Sequence, residues 1–277
     1  PRGNWNKKKN ILQQGDMIEI QAGQGAIAGI GHVTKAKDIP FNIQRKLGLF
    51  LGQDAVVPAR VKGIKSPKDF KNLVTHLREL TNGVPIAIKF GAGKYVEEDI
   101  EVAVEAGVDV VVIDGAQAAT VGAPPIIQDE FGLPTLMAIS RAGKYFEEQQ
   151  LKGKVSLVLS GGLYVPGDFI KALALGADAV AIGTAALFAM SHTQVLKAMP
   201  FEPPTQVAWQ TGHFKGKFNA DKAGQNLAKF LKSCTLEMEE AVRALGKTDI
   251  NEVNKNDMFA VDPYTAAITG VELAYDI

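Results

Sequence analysis

Five short runs in this chain are almost wholly apolar and rich in valine and isoleucine. They are MIEI from Met17, PIAIKF from Pro85 to Phe90, VDVVVID from Val108 to Asp114, VSLVLS from Val155 to Ser160, and DAVAIGT from Asp178 to Thr184. They lack the strict apolar–polar alternation of a strand with one wet face. A strand with little polar face is covered on both sides, as in a parallel sheet wrapped by helices. The fold class is therefore α/β. PTLMAI, from Pro134 to Ile139, is a weaker strand candidate, and AVVPA around Val56 carries a proline and reads as an extended loop.

The segments between the runs have helical character. Ser66 and Asp69 form a capping box ahead of FKNLVTHLREL, where Leu73, His76, Leu77 and Leu80 recur at helical spacing. Glu97 to Ala106 reads as a second helix closed by Gly107, and Gly167 to Leu175 as a third closed by Gly176. "Helix, Gly, Asp, strand" thus occurs twice, in EAGVDVVVID and LGADAVAIG. Repeated β–α units with right-handed crossovers build either a doubly wound sheet or a (β/α) barrel. From Phe201 the composition turns proline-rich and then polar, which reads as a long irregular connection. Asp221 to Leu245 is an amphipathic helix whose apolar face includes Leu227, Phe230, Leu231, Cys234, Met238, Ala241, Val242 and Leu245. A short helix and an extended tail follow. The expected division is 1–200 for the β/α part and 201–277 for a helical extension packed on it.

Charge and cysteine content narrow the function. Lys+Arg and Asp+Glu are both 30, so the net charge is zero, which gives no support for nucleic acid or an anionic membrane as the main partner. The one cysteine, Cys234, excludes an intrachain disulfide and a multi-cysteine metal site, and reads as a small core residue. The four histidines are too dispersed for a zinc site, and His192 has no metal partners near it in sequence. No apolar run approaches the roughly 18 residues of a membrane span, and no signal peptide is visible. A reduced, cytoplasmic location fits.

Two consecutive strand ends carry glycine beside a helix start. LVLSGGL places Ser160, Gly161 and Gly162 there; AIGTAAL places Gly183 and Thr184. Either these are two tight turns, or they are bare backbone held against a phosphate at a helix N-terminus, as the last two loops of a barrel often provide. A sugar phosphate or FMN would suit such a site. Lys89, at the end of an apolar run, favours FMN. A cation there faces the flavin N1 and C2 carbonyl, where negative charge gathers on reduction. The alternative is a lysine just past the strand end, reaching solvent. Arg60 and Lys62 lie in a loop expected at the barrel mouth, where they bind a dicarboxylate or form a solvated basic loop. Asp114 orients substrate or caps a helix. Gln117 and Thr120 share its loop, His32 is an acid–base candidate, and Arg141 reads as a helix start.

These residues carry a resemblance. "IDGAQAATVGAPP", "LSGG" and "DFIKALALGADAVAIGTAALFAM", preceded by "IEIQAGQGAIAGIGH", resemble in order the FMN-binding barrel domain of glutamate synthases, from about Met17 to Gln210. The resemblance implies a (β/α)8 TIM barrel. It implies an FMN-dependent reduction of 2-iminoglutarate, formed from 2-oxoglutarate and ammonia, to glutamate. By resemblance Gly161, Gly162, Gly183 and Thr184 contact the FMN phosphate, Lys89 lies by the flavin ring, and Gln24 matches the family's glutamine. The chain departs from the pattern in four places. Gln21 and Ile27 replace early lysines. Gly115 to Ala123 lacks the histidine, aspartate and two glycines of the family's glycine-rich loop. Pro58 to Gly63 replaces a histidine-bearing loop. The three iron–sulfur cysteines fall on His192, Ala198 and Pro203, so no iron–sulfur cluster is expected. No G-x-G-x-x-G follows a strand and no N-terminal nucleophile for glutamine hydrolysis is evident, so a separate electron donor and ammonia or an external amidotransferase are implied. Only the sixteen residues before Met17 stand where the family has three further strands. The chain is expected to be the last five units of a barrel, completed by missing N-terminal sequence, a partner chain or another copy. Another FMN-barrel oxidoreductase, or a non-catalytic fragment that binds phosphate or a partner, are the alternatives.

Overall fold

The computed structural model describes residues 9–23, 25, 29–119, 123–198, 204–209 and 212–275. A short helix α1 (Lys9–Leu12) leads into strand β1 (Ile18–Gln21). Then come β2 (His32–Thr34), α2 (Phe41–Leu47) and β3 (Ala55–Val57), followed by α3 (Pro67–Leu80), β4 (Ile86–Gly91), α4 (Val96–Glu105) and β5 (Val110–Asp114). After these lie α5 (Pro125–Glu130), α6 (Thr135–Glu148), β6 (Ser156–Ser160), α7 (Pro166–Ala174), β7 (Ala179–Ala181) and α8 (Thr184–Ala198). The remainder holds α9 (Pro204–Ala208), α10 (Ala220–Ala244) and α11 (Pro263–Thr269).

The five apolar runs are the five strands of one parallel sheet in the order β1-β4-β5-β6-β7. That order follows the chain without reversal. A doubly wound sheet reverses at a switch point, so every crossover here runs the barrel's way and the fold is part of a (β/α) barrel. The helices cover one face. Ile20, Ile86, Ile88, Phe90, Val111, Ile113, Leu157 and Leu159 pack in one core with Phe70 and Val74 of α3, Val96 and Ile100 of α4, and Ala138 and Ile139 of α6. Burying each such isoleucine or leucine contributes about 1.5–3 kcal/mol. Lys89, Val112, Asp114, Val158, Ser160 and Ala181 share the other face by alternation and register. Among the described residues this face is only partly covered. Val158 and Ala181 are half-buried, and Ser156 and Ala179 are exposed. The expectation of strands covered on both sides therefore holds for the helical face alone.

The repeated "Gly, Asp, strand" pattern has one physical cause. Gly107 and Gly176 leave their helices with positive φ, +87° and +115°. The aspartates that follow accept from an amide at the start of the neighbouring strand: Asp109 Oδ2 from Ile86 N, the first of β4, at 2.7 Å, and Asp178 Oδ2 from Leu157 N, the second of β6, at 2.7 Å. Asp109 also holds Arg78 of α3 at 2.8 Å. The N-cap read at α3 forms: Ser66 Oγ accepts from Asp69 N and donates to Asp69 Oδ2, and that carboxylate accepts from Lys65 N at 3.0 Å, one residue before the cap.

Two local readings change. PTLMAI is the start of α6, not a strand. Thr135, Ala138, Ile139, Ala142, Gly143 and Phe146 are its buried face, and that period shows only over a window longer than six residues. Arg141 thus sits inside α6 rather than at its start. AVVPA contributes β3, which pairs antiparallel with β2, and Pro58 falls just beyond the strand, where no ladder bond is asked of it. The proline-rich stretch after Phe201 contains α9. On α10, Ala223, Cys234 and Val242 are buried as the stripe against α7 and α8, while Leu231 and Leu245 remain exposed. Burial pushes the Cys234 thiol up, away from reactive thiolate character. No helix among the described residues is long and apolar enough to cross a membrane.

Arg141 joins α6 to α4. Its Nε donates to Glu97 Oε1 at 2.7 Å, and its Nη2 donates to Glu97 Oε2 and to the Lys94 carbonyl. These bonds hold the Glu97 carboxyl below its ordinary value of 4.5. A carboxylate lowered in the folded state adds stability above its unfolded value and gives it up as pH falls through the folded one. The pair is partly exposed, so its worth is screened. Arg141→Gln is expected to lose less than about 1 kcal/mol in urea unfolding at neutral pH, with the gap narrowing as pH falls below 4.5. A gap unchanged in acid contradicts this account of the pair.

Candidate functional site

The C-terminal ends of β4 to β7 open onto a cavity of about 460 Å³. Lys89, Asp114 and Ser160 reach it from three strands, and Gln117, Gly161 and Gly162 from the loops after β5 and β6. Gly183 and Thr184 border it at the start of α8. The two glycine turns read from the sequence therefore meet at one space.

The two turns use glycine for different reasons. Gly161 and Gly162 have φ of +117° and +67°. A Cβ on Gly162 would stand 2.8 Å from Gln117 Cβ, so the chain needs glycine there whatever the cavity holds. Gly183 lies outside the left-handed region, and a Cβ built on it meets nothing within 4 Å. Folding alone does not ask for glycine at 183. What its bare backbone provides is access to the first turn of α8. The Gly183 carbonyl accepts from Leu187 N at 3.0 Å, and the amides of Thr184, Ala185 and Ala186 have no partner inside the helix. That end of a 15-residue helix carries a partial positive charge with donors aimed outward.

Lys89 lies within β4, two residues before its end, not past it. Its Nζ is 3.2 Å from Asp114 Oδ1, with side-chain exposures of 20% and 2%. The distance is that of an ion pair, but the direction does not align a hydrogen bond at Oδ1. Asp114 Oδ2 accepts from Gly25 N at 3.1 Å. Gln117 has its carbonyl oxygen committed: Oε1 accepts from Thr135 N at 2.8 Å, at the start of α6. The Thr135 hydroxyl lies 2.7 Å from that oxygen and 2.8 Å from the Gly161 carbonyl, one donor shared between two acceptors.

Other candidates lie apart. Arg60 borders a separate cavity of about 500 Å³ on the helical side of the sheet, between Ile88, Phe90 and the start of α3. Arg60 thus lines a space beside the ends of β1 and β4 and not the cavity that receives Lys89. His32 is exposed at the start of β2, with Nε2 3.2 Å from Thr34 Oγ1. His192 is exposed on α8, with Nδ1 3.0 Å from the Ala189 carbonyl. Gln24 and Thr120 lie outside the described residues. Sequence reasoning missed Tyr164, Thr205 and Trp209, which also line the cavity. The last two come from the proline-rich segment, where nothing in the local pattern announces a site. It also missed the Lys89–Asp114 pair, although both residues fall on one face of adjacent strands once Gly91 is set opposite Asp114.

The profile described as "conserved region in glutamate synthase" matches residues 3–248. The archaeal-type glutamate synthase [NADPH] of Dehalococcoides mccartyi is 32% identical over 255 residues, 92% of this chain and 51% of that protein. The glutamate synthase large subunit-like protein of Rhizobium meliloti is 33% identical over 280 residues, 95% of this chain and 63% of that protein. The chain thus spans about half to two thirds of the length of these relatives. Among solved structures, a flavocytochrome b2 variant superimposes with a TM-score of 0.51 over 97% of this chain and 52% of its own, at 20% identity, which supports the partial TIM barrel as a fold. On the extent of the profile match and the identity to these two relatives, the chain belongs to the glutamate synthase family.

Proposed function

We propose that the cavity at the ends of β4 to β7 holds FMN, and that the chain supplies the flavin segment of a glutamate-synthase-type oxidoreductase. The observation that carries this reading is Gly183, a glycine required neither by backbone conformation nor by packing, at the head of a helix facing a cavity that also receives Lys89. The donor set suits the group. The free amides of α8, the Thr184 hydroxyl and the Gly161–Gly162 turn match a phosphate dianion, and Lys89 matches a ring that gains negative charge on reduction. When bound, FMN would supply the hydride equivalent that reduces 2-iminoglutarate, or a related imine, to the amino acid.

The chain's own residues bind and orient. The head of α8 would hold the phosphate, and Lys89, which reaches the same cavity, would favour negative charge on the bound group. Asp114 and Gln117 shape the floor, each with an oxygen already engaged by the fold. Trp209 and Thr205 border the far wall. Electrons come from a separate donor, no iron–sulfur cluster takes part, and ammonia or an external amidotransferase supplies nitrogen. The open inner face, with Ser156 and Ala179 exposed, is consistent with further chain, a partner or a second copy completing the barrel. A cytoplasmic setting fits this chemistry.

Purified protein is expected to be yellow, or to become so with added FMN. Titration with FMN should quench tryptophan fluorescence, and Trp209→Phe should remove most of that quenching. Colourless protein whose emission ignores saturating FMN rejects the reading in favour of a non-catalytic fragment. Glutamate formed from 2-oxoglutarate and ammonia with a chemical reductant tests the substrate. A yellow protein inactive there but active on another acceptor keeps the flavin and replaces the substrate.

A further inference from the structure

Among the described residues Asp114 is the only buried carboxylate, 1% exposed. An ionised carboxylate in that position needs compensation. Here it comes from two places distant in sequence. Lys89 Nζ approaches one oxygen at 3.2 Å, and Gly25 N donates to the other at 3.1 Å. Gly25 is itself held hard against the loop after β5: with φ of +40°, a Cβ there would stand 2.4 Å from Ala119 N. One carboxylate at the end of β5 therefore joins β4 to the loop after β1, and through Gly25 that loop packs on the loop after β5. Oδ2 is engaged by Gly25 N, while Oδ1 faces the Lys89 ammonium without an aligned hydrogen bond.

We propose that Asp114 is a positioning residue that holds Lys89 in place and offsets part of its charge, so that bound FMN is harder to reduce than a bare lysine would make it. The inference rests on the reading that FMN occupies this cavity. The reduced ring carries negative charge that Lys89 attracts. A carboxylate beside Lys89 opposes that attraction, and in a site of low dielectric both effects are felt strongly. A carboxylate acting through the lysine changes the potential of the cofactor even with no substrate present.

Asp114→Asn separates the charge from the shape, because its amide oxygen still accepts from Gly25 N. Reductive titration of the FMN-loaded protein against reference dyes should give a two-electron midpoint raised by about 30 mV or more, a tenfold preference for the reduced form. Sulfite gives a second readout. Its lone pair forms a bond to flavin N5 and leaves an added negative charge on the ring, so its dissociation constant should fall by a similar factor. Lys89→Met should move both quantities the other way. If the asparagine variant does not fold, Asp114→Ser, smaller and equally uncharged, carries the same expectation. A variant that binds FMN with unchanged or lowered potential and sulfite affinity overturns the proposal and leaves the flavin reading intact. Unaltered protein that binds no FMN removes both.

Discussion

Gly183→Asp should leave the chain as stable as before, or slightly more so, and abolish its binding of FMN. The two expectations come from the same geometry. A side chain at 183 meets nothing within 4 Å, and the residue precedes Thr184, where α8 begins. Aspartate is a favoured residue ahead of a helix and exceeds glycine there by a few tenths of a kcal/mol. The same carboxylate stands where the phosphate is proposed to sit. Two unit charges about 4 Å apart repel by on the order of 4 kcal/mol at an effective dielectric of about 20, roughly a thousandfold in affinity. Thermal unfolding and the Trp209 fluorescence titration read the two quantities separately. An aspartate variant that binds FMN as tightly as the unaltered chain moves the phosphate away from α8. One that unfolds shows that Gly183 serves the fold after all.

Lys89→Met should cost about 3 kcal/mol of stability, and adding Asp114→Asn should restore most of it. Removing the lysine leaves Asp114, with 2% of its side chain exposed, facing only the Gly25 amide. The loss measures an abandoned charge more than the worth of the pair. Removing the charge as well takes that penalty away, so the double variant should be more stable than Lys89→Met alone. Denaturant unfolding of the four proteins in the cycle gives the coupling directly. A single-variant loss below about 0.5 kcal/mol would mean that water reaches Asp114 when the lysine is gone.

How much of this was legible in the sequence depended on the range over which each signal acts. The strands were legible because their valine and isoleucine runs are short, bounded and almost free of polar residues. Their neighbour order was not, and either winding matched the pattern until the register of Val110 to Asp114 against β4 and β6 was known. α6 was misread because six residues, Pro134 to Ile139, do not reveal a period of 3.6. The glycine turns at 161–162 and 183 were legible as turns. What separates them is the space around each, and that is a property of the packed chain. Arg60 follows a three-residue ribbon, β2 with β3, and borders the space beside Ile88 and Phe90, a neighbourhood that the order of residues in the chain does not announce. The Lys89–Asp114 pair lay in plain view, two opposite charges near the ends of adjacent strands. Their pairing follows from register, which neither residue carries alone.

Asp109 and Asp178 have a consequence for how this scaffold tolerates change. Each grips an amide in the first two residues of the strand beside it, at the end of the sheet opposite the cavity. A slip of one residue between β4 and β5, or between β6 and β7, would strand the grip across that pair, so the end of the sheet away from the cavity helps to secure its alignment. The rim keeps fixed points of its own, above all Gly115, where a Cβ would stand 2.1 Å from Thr135 Oγ1, and side chains that only face the cavity can change around it while the sheet beneath keeps its alignment.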